Sequence, residues 1–430
     1  MIVPSSISSA PGVVREVVKQ GIENRRGDVV SIARRLLSVP SEYPPGDTVA
    51  IVDEITDVMS AVKAIEIIRL PGAPHIMNVA LRVCGRQPGR RLILNGHLDT
   101  FPLGDRAAWR FKPEGEERDG RLYGLGISDM KGGVAAILFA LIRLSEVRAE
   151  WNGELVATLA GDEESMGVLG SKLMLDQLPI ARGDAMISAD AGSPRILRFG
   201  EKGMIWLKLR ARGRAAHAAH VHKGDSAIEK LLRVIGEMQK LRAWRVDAPT
   251  DVVEAIGAAT SVSEQLSGIG EAEVLKSVKV TFGTIQGGRL SNLIADSAEA
   301  TADIRLPVGV SVSEIEAEIE RVVASVNDVE CDISRRYEPS WTAPDHELIQ
   351  LLKHNCIEYL GVDPVVNMRV GASDARHYRA AGVPTVVCGL TPNNMGAADE
   401  YVELEELKKL GEIFAMAAFD YLTSQKLSSN

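Results

Sequence analysis

Residues 90–100 read RRLILNGHLDT, a mostly apolar run that ends in His97, Asp99 and Thr100. WNGELVATLAGDEE at 151–164 and GDAMISADAG at 183–192 repeat the pattern. Each reads as a buried strand whose C-terminal end carries acidic side chains. MNVALRV at 77–83 is a further strand, and helices are expected at 130–147 and 165–178. Apolar strands alternating with helices imply an α/β layer with a mostly parallel sheet flanked by helices. Such sheets place their chemistry at the carboxyl ends of the strands. The acidic residues fall at those ends.

Outward from this block, residues 11–38 read as one or two helices. Past Gly200 the texture changes. MIWLKLRARG (204–213) alternates as a strand, 225–243 is an amphipathic helix, and VKVTFGTIQGG (278–288) and AEATADIRLP (298–307) are strands. Residues 312–326 are helical and VECDISRRYEP (329–339) is a strand. The order is β-α-β-β-α-β, the ferredoxin-like split motif. It marks an inserted domain at 200–338, with 251–275 as an Ala/Ser/Glu-rich excursion inside it. Helix 345–360, strand 364–369, helix 374–381 and strand 384–389 then complete a first domain of 1–199 and 339–430.

Composition narrows the function. Lys plus Arg total 49 and Asp plus Glu 58 in 430 residues, a net charge of −9. An acidic chain lacks the basic footprint of a nucleic-acid binder. Cys84, Cys331, Cys356 and Cys388 form no CxxC pair, so a reduced compartment is expected. The N-terminal stretch has no basic residue before Arg15 and lacks a secretory n-region. The apolar run Gly132–Ile142 is shorter than the ~18 residues that signal a membrane span. A cytoplasmic protein with no membrane partner is the expectation.

His97 and Asp99 sit two apart at a strand end, where i and i+2 share a face. A histidine beside a carboxylate is the usual pairing of a metal ligand with its orienter. Asp129, in GISDMKGG, stands at a strand-to-helix turn among glycines. Asp162, Glu163 and Glu164 end the next strand, where adjacent acids repel unless a cation neutralises them. Asp190 is a fourth strand-end acid. Singly, these read as a surface pair, an N-cap, a solvated loop and a turn residue. Together, at the strand ends of one sheet, they read as a metal site.

Taken with these residues, the chain resembles the co-catalytic zinc hydrolases that include aminoacylase, acetylornithine and succinyl-diaminopimelate deacylases and glutamate carboxypeptidase. NGHLDTFP, GLGISDMKGG, GDEES, SADAG, ARGRAAHAAHVHKGDSAI, LSNLIAD and GASDARHY carry the resemblance, in family order. It implies a phosphorylase/hydrolase-like catalytic sheet, with the insert as a lid and dimerisation domain. It further implies that His97 binds a metal with Asp99 orienting it, that Asp129 bridges two metals, and that Glu164 binds one metal and Asp190 the other. Glu163 would be the general base for the attacking water. His217 would reach the partner protomer's site in a homodimer or larger homo-oligomer, with His220 and His222 close by. Asn292 and Arg376 would contact substrate, Arg376 by forking onto a carboxylate.

One position departs from that pattern. The family's last ligand is a histidine four residues before the Glu of a near-terminal DE pair, and Gly396 stands there. The site of His97, Asp129 and Asp190 stays complete while its neighbour keeps only Asp129 and Glu164. One divalent metal per protomer is therefore expected, manganese or zinc, with cobalt also suited to an oxygen-rich set. Asn393, Asn394 and His377 are alternative ligands. The small substrate would carry a carboxylate. A single metal favours an aminohydrolase releasing ammonia from an aromatic amino acid of the 5-nitroanthranilate type, a branch of the same family. The alternatives are an N-acyl-amino-acid deacylase or carboxypeptidase-type peptidase, and a degenerate member that only binds ligand. Trp109, Tyr123, Trp206 and Tyr378 lie near the motifs as candidate contacts for an aromatic substrate, or as core.

Overall fold

The computed structural model describes residues 11–424. The opening of the N-terminal stretch, residues 1–10, lies outside the described residues. The chain divides into two compact units. The first comprises residues 11–199, Asp345–Val365 and residues 373–424, and the second Gly200–Pro344 with Val366–Ala372. The sequence reading ended the insert at 338 and kept strand 364–369 in the first domain.

In the first unit the strands line up as Ile65–Ala73, Ile76–Cys84, Glu154–Ala160, Arg91–His97, Ala185–Ser188, Thr385–Val387 and Ile196–Glu201. Only the middle of this sheet is parallel: Glu154–Ala160, Arg91–His97, Ala185–Ser188 and Thr385–Val387 run the same way. Ile65–Ala73 and Ile76–Cys84 form a hairpin on one side, and Ile196–Glu201 pairs antiparallel on the other. The α/β class holds, but the sheet is mixed. A run of apolar residues reports burial on both faces, not the direction of its neighbour.

Alternation along Arg91–His97 assigns the two faces. A side chain at Gly96 would meet Met130, Val134 and Ile137. The even positions therefore face the helix Gly132–Glu146, which packs on Leu404–Thr423 and Asp28–Leu37. Ile93 faces the other way and joins Val156, Met186 and Val387 under Leu175, Ala375 and Tyr378. The Gly132–Glu146 helix is buried on nearly every side, as its apolar composition requires. It approaches the Asp190 strand end closely. A methyl group on Gly133 would stand 2.4 Å from the Ala189 carbonyl oxygen, so only glycine fits.

Several expected elements contract. Residues 11–38 form two helices, Pro11–Glu23 and Asp28–Leu37. The helix expected at 165–178 is only Ser171–Gln177, because Met166 and Gly167 adopt positive φ and break the first turn. Among the described residues, no helix is long and apolar enough to cross a membrane.

The second unit holds a 4-stranded antiparallel sheet in the order Lys279–Gly287, Ser297–Leu306, Gly203–Arg212 and Val329–Tyr337. Helices Ala227–Gln239 and Val312–Ala324 complete the ferredoxin-like order. Ile205, Leu207, Leu209 and Ala211 alternate inward and pack with Leu231, Val234, Ile315 and Ile319. A capping box between Ser311 and Glu314 starts the second helix. The excursion at 251–275 is helical, as Thr250–Ser267 and Glu271–Lys276.

Candidate metal centre and active site

His97 ends its strand and is buried. Its Nδ1 lies 2.9 Å from the Asp99 carbonyl oxygen, and its Nε2 lies 2.9 Å from Asp129 Oδ1. A neutral ring that donates from Nδ1 to that carbonyl presents Nε2 as an acceptor, the state a metal ligand needs. Ligand atoms of His97, Asp129 and Glu164 all fall within 4.8 Å of one another, close enough to share one ion. Glu164 Oε1 is buried with no hydrogen-bond partner, and a cation would satisfy it. The donor set, one imidazole and two carboxylates, suits a divalent ion.

Asp99 is fully buried. Its carboxylate accepts from the backbone N–H of Glu163 at 3.1 Å and of Glu164 at 2.9 Å. Its Oδ1 is 3.7 Å from His97 Nδ1. The strand stops at His97, so the i, i+2 rule no longer applies at 99. Asp99 steadies the ring through its carbonyl and the acidic turn through its carboxylate. Asp190 is buried at the neighbouring strand end but falls outside the set that converges on one point.

The charges explain each titration. Burial opposes a proton on His97, yet Asp129, then Glu163 and Asp99, hold its pKa well above the ordinary value. Burial pushes Glu163 well up; His97 opposes this, and Asp190 and Asp374 add to it. Burial drives Glu164 up to about 8, against the pull of His97 and with repulsion from Asp129, Asp99 and Asp190. The positive charge within reach, His97 and Arg376, does not offset burial and these acids, and a divalent ion would add more.

Glu400 escaped the sequence reading as a functional residue. Its buried carboxylate accepts from Gly126 N at 2.8 Å, Ser128 N at 2.8 Å and Ser128 Oγ at 2.7 Å. It pins the turn that delivers Asp129. Burial lifts it to about 7, against these three hydrogen bonds. The DE pair itself was its signal.

Arg376 is buried, with Nη1 donating to the Ser373 carbonyl and Nη2 to the Met166 carbonyl at 2.8 Å. Both arms of the expected carboxylate fork already hold backbone, and they anchor the loop after Glu163 and Glu164. His377 Nε2 lies 3.2 Å from the same Met166 carbonyl. Asn393 donates to the Thr391 and Tyr401 carbonyls, and Asn394 to the Asp399 carbonyl. None of these three joins His97, Asp129 and Glu164.

Gly396 has φ +71. A β-carbon there would sit 3.6 Å from the Phe101 ring, in ordinary contact. Trp109, Tyr123 and Tyr378 are buried core residues: Tyr123 stacks on Phe111, and the Tyr378 hydroxyl bonds Thr158 Oγ1. Trp206 is half-buried on the second unit's sheet, with Arg335 over its ring. In the second unit His217 is exposed, and its Nδ1 accepts from Ala219 N at 3.1 Å. Asn292 is exposed beside it, its carbonyl accepting from Ala218 N at 2.9 Å. The rings of His220 and His222 stand 5.9 Å apart next to His217.

A family model described as Peptidase family M20/M25/M40 matches residues 93–420. A succinyl-diaminopimelate desuccinylase of Cereibacter sphaeroides is 31% identical over 351 residues, 78% of this chain and 85% of that protein. The fold is shared with an M20 family metallo-carboxypeptidase from Sulfolobus solfataricus, at TM-score 0.75 and 16% identity, over 90% of this chain and 98% of the other. A Bacillus subtilis protein described as a dinuclear metal-binding peptidase from the M20 family gives TM-score 0.65 and 15% identity, over 94% and 99%.

Glu400→Ala frees the turn that carries Asp129. It should weaken divalent-metal affinity about 10-fold or more, read by metal titration. Glu164 and Glu400 have folded pKa values above the ordinary 4.5. Between that value and about 8 the folded state therefore binds more protons than the unfolded one, and stability falls as pH rises through this window. The metal-free protein should melt at progressively lower temperature from pH 5 to 7, and added divalent metal should flatten that slope.

Proposed function

Because the chain belongs to peptidase family M20/M25/M40 and is a metal-dependent hydrolase of C–N bonds, we propose that it cleaves an amide in a small carboxylate-bearing substrate with one divalent ion per protomer. The observation that carries this reading is the convergence of His97, Asp129 and Glu164 on one point, together with Gly396 where the resemblance implies a histidine ligand.

His97, Asp129 and Glu164 would hold the ion, with Asp190 flanking it as a further carboxylate. When bound, a divalent ion acidifies water at the site and polarises the scissile carbonyl. Glu163 takes the proton from the attacking water and returns it to the departing nitrogen. Burial, with the neighbouring Asp190 and Asp374, favours a proton on Glu163 over the ordinary carboxylate, the direction a proton shuttle needs. Asp99 holds Glu163 and Glu164 by their amides, so the base and a ligand move as one unit. Arg376 fixes the far side of the same turn. His217 and Asn292 would contact substrate. We further assign that unit to homodimerisation, with His217 serving the partner's site, and the protein to the reducing cytoplasm. Manganese and zinc both suit the donors.

Gly396 favours a second reading. With one ion, attack on an electron-poor aromatic carbon bearing an amine, releasing ammonia, needs less carbonyl polarisation than amide cleavage. The desuccinylase relatives support amide cleavage first.

A panel of N-acyl amino acids and aromatic amino-carboxylates, with ammonia measured against free carboxylate, separates the two readings. Amide substrates alone should react, and ammonia from aromatic amines with inert amides would reverse the order. Glu163→Gln should lower turnover at least about 100-fold while substrate still binds. Elemental analysis should find one ion per protomer at full activity. Gly396→His should admit a second, and two ions in the unaltered protein would overturn the one-metal reading.

A further inference from the structure

We propose that the Phe101 ring is a substrate-binding platform, one that Gly396 leaves bare, and that it selects substrates carrying a planar apolar group beside the scissile bond. The inference rests on the hydrolase reading above.

Phe101 follows Asp99 by two residues, on the segment that leaves the His97 strand end. Thr100, between them, is buried and locked in place. Its backbone N–H donates to the Ser41 carbonyl at 3.0 Å, and its methyl fills the space where a side chain on Gly126 would start. Gly126 opens the turn that Glu400 pins and that ends in Asp129. The ring is therefore carried by the same fixed backbone that positions the acidic centre, and its stem has little freedom to withdraw.

The other wall of this place is the loop at 393–400. Ala397 N donates to the Asn394 carbonyl, Asn394 Nδ2 to the Asp399 carbonyl, and Asp399 accepts from the backbone of Arg110 and Phe111. The loop is thus anchored at both ends, with Gly396 at its bend. A β-carbon on Gly396 would lie 3.6 and 3.8 Å from two Phe101 ring atoms. A side chain there would start in van der Waals contact with the ring. Glycine leaves it open: Phe101 is 38% exposed, and Met395, next in the chain to Gly396, is 42% exposed.

The other aromatic candidates are committed elsewhere, Trp109, Tyr123 and Tyr378 being buried. Phe101, two residues from Asp99, keeps an exposed ring on this segment; Tyr43, whose backbone N–H donates to the Thr100 carbonyl at 2.7 Å, is exposed as well. A substrate aryl group, offset-stacked or edge-on, fits that ring better than a short alkyl group does. An aryl contact of this kind corresponds to about a fivefold gain in affinity.

The test uses metal-loaded Glu163→Gln protein, in which binding is read without turnover, titrated with N-benzoylglycine and with N-acetylglycine. The benzoyl compound should bind about fivefold tighter. Phe101→Ala should bring the two within twofold, and Phe101→Tyr should keep the preference. Equal binding of the two compounds in the parent, or a preference that survives Phe101→Ala, overturns the platform. The same compounds are then given to the active enzyme. A ring preference without any amide cleavage would sink the amide-first reading and leave the platform standing. Cleavage without a Phe101-dependent preference would do the reverse.

Discussion

Asp99, Asp129, Glu163 and Glu164 crowd around one buried imidazole, with Asp190 repelling the two glutamates from outside the cluster, and this mutual repulsion is the constraint on which the rest of the site depends. Burial and like charge lift Glu164 to about 8 and push Glu163 well up. Acids gathered this closely are costly unless they hold protons or share a cation. The fold does not relax the crowding by spreading the acids apart. It clamps them. Asp99 grips the amides of Glu163 and Glu164, Glu400 grips the Asp129 turn, and Arg376 grips the carbonyl of Met166. The arrangement is preorganised for a positive charge, and the geometry that repels without an ion binds with one.

The clamps come from distant parts of the chain. Glu400 lies 274 positions from Gly126, and Arg376 210 from Met166. The helix Gly132–Glu146 and the close approach at Gly133 bring the Asp190 strand end into the same layer. The segments that hold the site most directly are thus those whose partners are farthest away in sequence. Substrate selection follows the same plan, since Phe101 and Gly396 meet only because the chain folds back across the strand ends.

A good deal of this was legible beforehand. Periodicity placed the central strands and the ferredoxin-like order of the second unit, because apolar alternation is a local property. Strand-end acids and motif order drew attention to His97, Asp129 and Glu164, which the fold brings together, and also to Glu163 and Asp190. The helix at 165–178 was overdrawn because left-handed backbone at Met166 leaves no mark in composition. The parallel character of the sheet was overdrawn for a similar reason: pairing direction is settled by which strands meet.

The sequence by itself determined which residue types stand at the strand ends, the order of the motifs and the absence of a histidine at 396. These are properties of single positions and short windows. Tertiary structure alone decided that His97, Asp129 and Glu164 converge while Asp190 stands aside, and that Arg376 holds backbone carbonyls. It also decided that Asp99 serves the acidic turn, and that the vacant position opens onto an aromatic ring. Each of these is a matter of a few ångströms between groups dozens to hundreds of residues apart. Only long-range packing, which closes those loops and sets their end-to-end geometry, can specify distances of that kind.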